Sequence, residues 1–567
     1  MAAFLTPPPG HQLARLNGVD ILVIAIYFAI VLFIGIYLKG SSNTGEDFFL
    51  AGREMTAWIA GLSFVSANLG SLELMGWAGS AYQYGILATH WYWIGAIPAM
   101  LFLGIIMMPF YYISKINSVP GYLNLRYGPA TRALSGISFA LMTILMSGIN
   151  MYAMALVMKV VLGWNLNFSI WVSSLTVAVY VALGGLKSAI YNEVLQFLLI
   201  WVGALLVPIL GLVEVGGWVN LKRQIVHNMG GGYIHLWSNL GHFGTNPMGV
   251  NWFGIVFGLG FVISFGYWTT DFLVVQRVLS ANSLRSARMA PIIGAAFKMA
   301  VPFIVILPGL LALSVLPFHL VGQNIAIATG QHSYNEVLPL MLVRYCGPGL
   351  LGLGVTALIA GFMSGMAGNV SAFSTVWTYD LYGAFLNKKA TDKHYVAMGR
   401  WSTLIGVLIS VGTAYLVQHA ASIMDYVQAL FSFFIAPLFG TVILGMLWKR
   451  ATAAGGFWGL LAGTCTSVGL WDWVEHDPTA LRYVALSPDA KAMAQDIYRA
   501  LWSWLVCVIV TVIVSYLTRP KPIAELEGLV YGVSPLPEEH DDHWYQKPIA
   551  WAGAVTVVFI VLNVIFW

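Results

Sequence analysis

Apolar residues run along this chain in fourteen long windows separated by short polar connections. They lie near 20–39, 56–79, 90–114, 132–162, 168–186, 190–216, 250–279, 285–316, 349–385, 397–418, 423–446, 454–474, 499–518 and 548–567. A hydrocarbon core about 30 Å thick takes roughly 20 apolar residues per helix, so each window is long enough to cross. The pattern predicts an all-α membrane protein of about fourteen spanning helices with both termini on one side. Two windows are interrupted. Ser66-Ala67-Asn68-Leu69-Gly70-Ser71-Leu72-Glu73 puts polar steps, a glycine and a carboxylate inside the second, and Gly266-Tyr267-Trp268-Thr269-Thr270-Asp271 does the same in the seventh. Lipid supplies no partner to freed backbone groups, so unwound backbone survives at that depth only against protein or a cavity. Acids at that depth are costly and mark function. Two interrupted helices in corresponding halves point to a transporter whose site lies between them.

Composition narrows this further. Only 9% of the 567 residues are charged, against about 25% in soluble proteins. A net charge of +4, scattered along the chain, gives no surface for nucleic acid. Cys346, Cys465 and Cys507 have neither disulfide-framework nor zinc spacing. No nucleotide cradle and no metalloprotease spacing is present, so an ion gradient is the expected energy source. The segment before the first window lacks a cleavage site, and that window reads as a retained helix. Of the 27 Lys and Arg, eighteen fall in one set of alternate connections and seven in the other. The positive-inside bias places the larger set in the cytoplasm and both termini outside. The compact ends fit a bacterial inner-membrane protein.

The interrupted window 250–279 comes five helices after 56–79. Residues 56–216 and 250–446 then read as two five-helix units, and an odd number per unit makes the second cross in the opposite sense. Residues 1–19 form an extracytoplasmic segment, 20–39 an extra helix before the units, 454–518 additional helices, 519–547 a cytoplasmic loop with Glu538, Glu539, Asp541 and Asp542, and 548–567 the last helix. The connections 217–250 and 317–347 are long and partly amphipathic, as expected of short helices over the mouth.

Several stretches, in order, resemble the sodium:solute symporter family. They are Phe48-Phe49-Leu50-Ala51-Gly52-Arg53, Ser66 to Ser71, Gly184-Gly185-Leu186-Lys187-Ser188-Ala189-Ile190 with Glu193-Val194-Leu195-Gln196, Gln276-Arg277-Val278-Leu279-Ser280-Ala281, and Met363-Ser364 leading to Thr378-Tyr379-Asp380-Leu381-Tyr382. Tyr267-Trp268, Lys298 before Val301-Pro302-Phe303, Asp425-Tyr426-Val427-Gln428 and Trp448-Lys449-Arg450 with Gly456-Phe457-Trp458-Gly459 are similar to its sodium/sugar branch. The resemblance implies a LeuT-like core of two inverted five-helix repeats and symport of a small solute with Na⁺ by alternating access. It also implies a sodium site at Ser66, Leu69, Gly361, Ser364 and Gly365, with carbonyls from Ser66, Leu69 and Gly361 and a hydroxyl from Ser364. Hard oxygen ligands suit a small cation. Family members usually carry a second hydroxyl residue directly after the serine at 364, where this chain has Gly365.

The remaining candidates are set around the breaks. Glu73 can accept hydrogen bonds from vicinal hydroxyls, pair with Lys298, carry a coupling proton, or simply cap the break. Lys298, alone among the lysines well inside a window, is a donor to a solute or a counter-charge to Glu73 or Asp271. Asn68, Gln428 and Ser264 are short neutral donors and acceptors, Ser264 being equally a packing serine. Tyr267 and Trp268 can stack on the apolar face of a sugar ring, although aromatics are common in membrane helices. Tyr92 and His90 stand where sugar cotransporters tend to offer a carboxylate; Tyr92 is a donor there or an interfacial tyrosine. Glu193 resembles the acid lining the family's inner cation exit, or is a carboxylate at a helix start.

The expected function is therefore a Na⁺-coupled symporter of a sugar or sugar-like solute in the lipid bilayer, with sodium as coupling ion and no cofactor. The alternatives are a Na⁺- or H⁺-coupled symporter of a carboxylated or nitrogenous solute and, from another class, a solute sensor that does not translocate. No nucleophile–base pair or metal cluster supports an enzyme.

Overall fold

A computed structural model describes residues 16–38, 44–316, 334–418, 420, 422–533 and 543–567. Arg15 and the rest of 1–15, Lys39, the connection over 317–333 and the acidic run at 538–542 lie outside the described residues. All fourteen apolar windows are helical over most of their described length. Among the described residues there is no strand, only an isolated bridge between Met55 and Ala281.

The chain opens with α1 (Gly18–Leu38). A first run holds α2 (Ala57–Asn68), α3 (Ser71–Tyr84), α4 (92–113), α5 (Pro129–Leu162), α6 (166–184) and α7 (Gly185–Val215). The amphipathic α8 (Trp218–Met229) follows, with Leu221 and Ile225 buried. A second run holds α9 (Gly254–Thr270), α10 (Phe272–Leu279), α11 (Leu284–Lys298), α12 (Pro302–Val315), the short α13 (Val337–Tyr345), α14 (Leu350–Leu386), α15 (Asp392–Val417) and α16 (Ile423–Leu447). Then come α17 (Ala453–His476), α18 (Ala492–Leu517) and α19 (Pro548–Ile565).

By length and composition nine of the described helices can cross a bilayer, or eleven if each bent pair is one crossing. That differs from the fourteen windows partly because 71–113 is continuous enough to pass as one apolar stretch of 43 residues. Forty-three residues of helix would measure roughly 65 Å, twice the hydrocarbon thickness. The stretch is divided by Gly85, at φ +66, and a 3₁₀ turn to Trp91. A left-handed φ at that turn is open to glycine at no steric cost.

Three breaks organise the core. α2 ends where Leu69 leaves helical geometry at φ −79, ψ 52, and Gly70 is extended at φ −69, ψ 171. Gly70 is required here by proximity, since a Cβ on it would lie 2.7 Å from Asn150 Oδ1 and 3.5 Å from the Cα of Gly365. The second break is narrower than the sequence suggests. Asp271 alone is non-helical, its carboxylate accepts from the Leu273 N–H at 2.9 Å, and α9 meets α10 at 49°. A third, between α11 and α12, bends the chain by 43° just after Lys298. Pro302 brings no N–H to the ladder there. Met55, before α2, donates to Ser280 O at 3.0 Å and accepts from Asn282 N at 2.9 Å, tying the entry of the first broken helix to the exit of the second.

Some cations taken as loop charges are buried instead. Arg126 reaches the carbonyls of Gly445 and Trp448 at 2.7 and 3.0 Å, Arg277 pairs with Glu193, and Arg499 pairs with Asp496. Each is held by carbonyls or a carboxylate that compensate its desolvation. They are poor reporters of topology, and removing them leaves the sign of the charge bias unchanged.

Candidate functional site

A cavity of about 40 Å³ lies between the breaks. Its wall is formed by Asn68, Glu73, Tyr92, Ser264, Tyr267, Trp268, Lys298 and Gln428, together with Trp77, Trp91, Ile263 and Phe431. All eight residues singled out for solute binding therefore meet at one place, drawn from α2, α3, α4, α9, α11 and α16.

Asn68 sits at the centre of the polar network. Its Oδ1 accepts from Lys298 Nζ, while its Nδ2 donates to Tyr267 Oη at 2.8 Å and to Glu73 Oε1 at 3.4 Å. Glu73 lies in the first turn of α3, where a carboxylate is favoured by the helix N-terminus. Tyr92 Oη donates to its Oε2 at 2.6 Å and Trp77 Nε1 does so at 2.9 Å. Three protein donors thus converge on the one carboxylate. Lys298 makes no ion pair with Glu73; Asn68 bridges the two, so the direct pairing that stood as one alternative for them is not formed. The ammonium instead lies 4.8 Å from the ring centre of Tyr92 and 5.1 Å from that of Trp268, within cation–π range.

What this leaves for a solute can be counted. Tyr267 accepts from Asn68, which leaves its own O–H to donate. Gln428 is 1% exposed and its Oε1 has no hydrogen-bond partner. Glu73 Oε1 carries only the long bond from Asn68, and Lys298 keeps further N–H groups. Aromatic faces close the sides: Tyr267 packs on Phe431 at 5.0 Å and on Trp268 at 5.1 Å between ring centres, and Trp77 on Trp91 at 5.2 Å. The arrangement offers donors and acceptors of both kinds beside flat apolar surface. Forty cubic ångströms holds about three water molecules, less room than a ring-sized molecule takes.

His90 does not join the site. It is fully buried, bonded to Leu236 O at 2.8 Å and packed edge-on against Trp237. Trp77, Trp91, Ile263 and Phe431 escaped the sequence reading. Trp77 was findable, because it stands four residues after Glu73 and so shares its helix face.

The residues singled out for a cation lie one step beyond, behind the first break. Ser364 Oγ donates to Ser66 O at 2.8 Å, and the two serine hydroxyls are 3.0 Å apart. The Leu69 carbonyl belongs to neither helical ladder, and a Cβ on Gly361 would lie 3.1 Å from it. A Cβ on Gly365 would lie 3.0 Å from Gly70 Cα. Ser66, Leu69, Gly361, Ser364 and Gly365 are thus one cluster of oxygens and close backbone, with α14 pressed against the break. Glu193 stands apart from it. It is fully buried, eight residues beyond Gly185 and not at a helix start, and it accepts from Arg277 at 2.6 and 3.2 Å and from Ser63 Oγ.

Residues 48–463 match the model of the sodium:solute symporter family. The chain belongs to this family. Among this symporter's relatives, human sodium/glucose cotransporter 4 is 31% identical over 542 residues, covering 91% of this chain and 78% of that protein. Mouse sodium/glucose cotransporter 1 is 27% identical over 566 residues, covering 94% and 84%. A Na⁺-coupled sialic acid symporter, solved substrate-bound and outward-open, aligns with a TM-score of 0.71 at 22% identity over 89% of this chain and 99% of its own. The symporter described here therefore has the all-α, LeuT-like fold.

Proposed function

We propose that this chain moves a sugar or sugar-like solute together with Na⁺ by alternating access. On this reading 56–216 and 250–446 are the inverted repeats, 20–39 precedes them, both termini face outward, and Glu193 lines the inward exit of the cation. One observation carries the solute class. A single network, Lys298 to Asn68 to Tyr267 and Glu73, ends in Tyr92 and Trp77 and is walled by aromatic rings. A solute rich in hydroxyls can both donate to Glu73 and Gln428 and accept from Lys298 and Tyr267, while its apolar ring face meets Tyr267 or Trp268. The relatives named as sodium/glucose cotransporters support the same class.

The carboxylate is also placed informatively. Sugar cotransporters resembling this chain tend to present an acid at the entry of the helix that here carries Tyr92, and a neutral residue near position 73. In this chain the acid is at 73 and Tyr92 donates to it across the cavity. The pocket keeps one acid and one lysine but moves the acid, which changes the identity of the solute group that the carboxylate would read.

Uptake into proteoliposomes of a panel of labelled neutral hexoses, acidic sugars and amino acids, with Na⁺ and pH gradients imposed separately, tests the reading. Na⁺-driven uptake of a sugar is the expected result. Uptake driven by a pH gradient alone, or of amino acids only, overturns it.

A further inference from the structure

Asn150, in the middle of α5, is 1% exposed. Its Nδ2 donates to Met146 O on its own helix at 3.3 Å, which fixes the amide so that Oδ1 faces away from α5. That oxygen has no hydrogen-bond partner. It lies instead against glycine backbone, where a Cβ on Gly70 would come to 2.7 Å and one on Gly365 to 3.1 Å. The Asn150 main-chain carbonyl accepts from Ser71 Oγ at 3.3 Å, so both ends of the residue engage the break between α2 and α3.

A buried acceptor without a donor is destabilising unless something else supplies positive charge. Here it adds to an existing surplus of acceptors. The Leu69 carbonyl is outside both helical ladders and the Ser66 and Ser364 hydroxyls sit side by side. Oxygens converging with too few protons between them suit a hard cation. Position 365, where a hydroxyl side chain would complete such a set, is glycine, and the space beside it is taken by the Asn150 amide.

We propose that Asn150 Oδ1 is a further oxygen ligand of the coupling cation, occupying the coordination position that Gly365 leaves open. The proposal rests on the Na⁺ reading above. It makes residues 150 and 365 mutually exclusive, since an amide at one and a side chain at the other claim the same volume. It also gives α5 a direct hold on the ion, so that binding draws together α2, α5 and α14.

The test uses the full-length protein, with ²²Na⁺ binding in detergent and Na⁺-dependent uptake in proteoliposomes. Asn150→Leu, which keeps the volume and removes the oxygen, is expected to raise the Na⁺ half-saturation by about tenfold or more. The solute KM at saturating Na⁺ should stay near that of the parent. Asn150→Asp, which keeps the oxygen and adds charge, is expected to lower the Na⁺ half-saturation. Gly365→Ser alone should impair Na⁺ binding, yet in the Asn150→Ala background it should recover part of what Asn150→Ala loses, a reversal of sign that simple misfolding does not produce. Na⁺ half-saturation unchanged in Asn150→Leu, or no recovery in the double variant with the protein monodisperse, overturns the assignment while the parent's Na⁺ response leaves the coupling ion itself standing. A parent protein that binds no ²²Na⁺ overturns both.

Discussion

Glu73→Gln changes one atom and tests the largest electrostatic feature of the cavity. Glu73 Oε2 receives the two short bonds, from Tyr92 at 2.6 Å and Trp77 at 2.9 Å, so the amide oxygen of the variant settles there. The new NH₂ then takes the place of Oε1 and faces Asn68 Nδ2, a donor 3.4 Å away. Hydrogen bonds to a charged partner contribute about 1.5–3 kcal/mol and neutral ones about 1. Replacing the charged acceptor of a solute hydroxyl at Oε1 by a neutral group should therefore weaken binding by about 1 kcal/mol or more, or roughly five- to tenfold in KM. The Na⁺ half-saturation at saturating solute should move little, because the cation cluster lies on the other side of the break. Initial rates of labelled sugar uptake across a solute series, at fixed inward Na⁺, measure this directly. A KM within a factor of two of the parent would refute the contact between Glu73 and the solute. Retention of normal KM with loss of a pH-driven component would instead assign the proton to this carboxylate.

Lys298→Ala removes the donor that Asn68 Oδ1 accepts and the cation lying over Tyr92 and Trp268, and uptake should fall to the level of empty liposomes; measurable transport with an unchanged KM would exclude the lysine from solute binding. Ser364→Ala should raise the Na⁺ half-saturation by about tenfold, and an identical Na⁺ titration in parent and variant would remove the serine from the cation cluster. Arg277→Gln strands Glu193 as an unpaired buried charge and should destabilise the protein by about 3–5 kcal/mol, read as a lower melting temperature in detergent. Adding Glu193→Gln to it should restore most of that loss, and a double variant as unstable as the single one would show that Arg277 acts through its other partners, Gln276 and Ser371.

The breaks were legible because lipid cannot satisfy a freed backbone group. Asn68, Gly70 and Glu73 in one apolar window are improbable unless the helix stops there, and it stops at Leu69 and Gly70. Lys298 was legible for a related reason, being an ammonium at bilayer depth. The bend that places it was not, because Pro302 reads equally as a helix kink or as a tolerated membrane proline. Charge counting misassigned Arg277 and Arg499, since sequence position near a window edge does not distinguish a loop cation from one turned into a buried ion pair. Asn150 was invisible for the plainest reason. A lone amide in a long apolar helix acquires meaning only once Gly70 and Gly365 are seen against it.

On the function proposed above, coupling between ion and solute follows from how few residues separate their two clusters. Ser66 and Leu69 face α14, while Asn68 and Glu73 face the cavity, all within one interruption of eight residues. Ordering that interruption for the cation therefore orders half of the solute network, and by linkage the solute must tighten the cation by the same factor. The contacts with α5 and α14 set the geometry of the break from one side; Lys298 on α11 and Tyr267 on α9 set it from the other. A solute that draws both Lys298 and Tyr267 from Asn68 releases the break from α11 and α9, and a cation leaving Ser364 releases it from α14. Neither release alone frees the break. The walls around a cavity of about 40 Å³ would then part only when both holds are released together, which is how one movement would carry ion and solute as a pair.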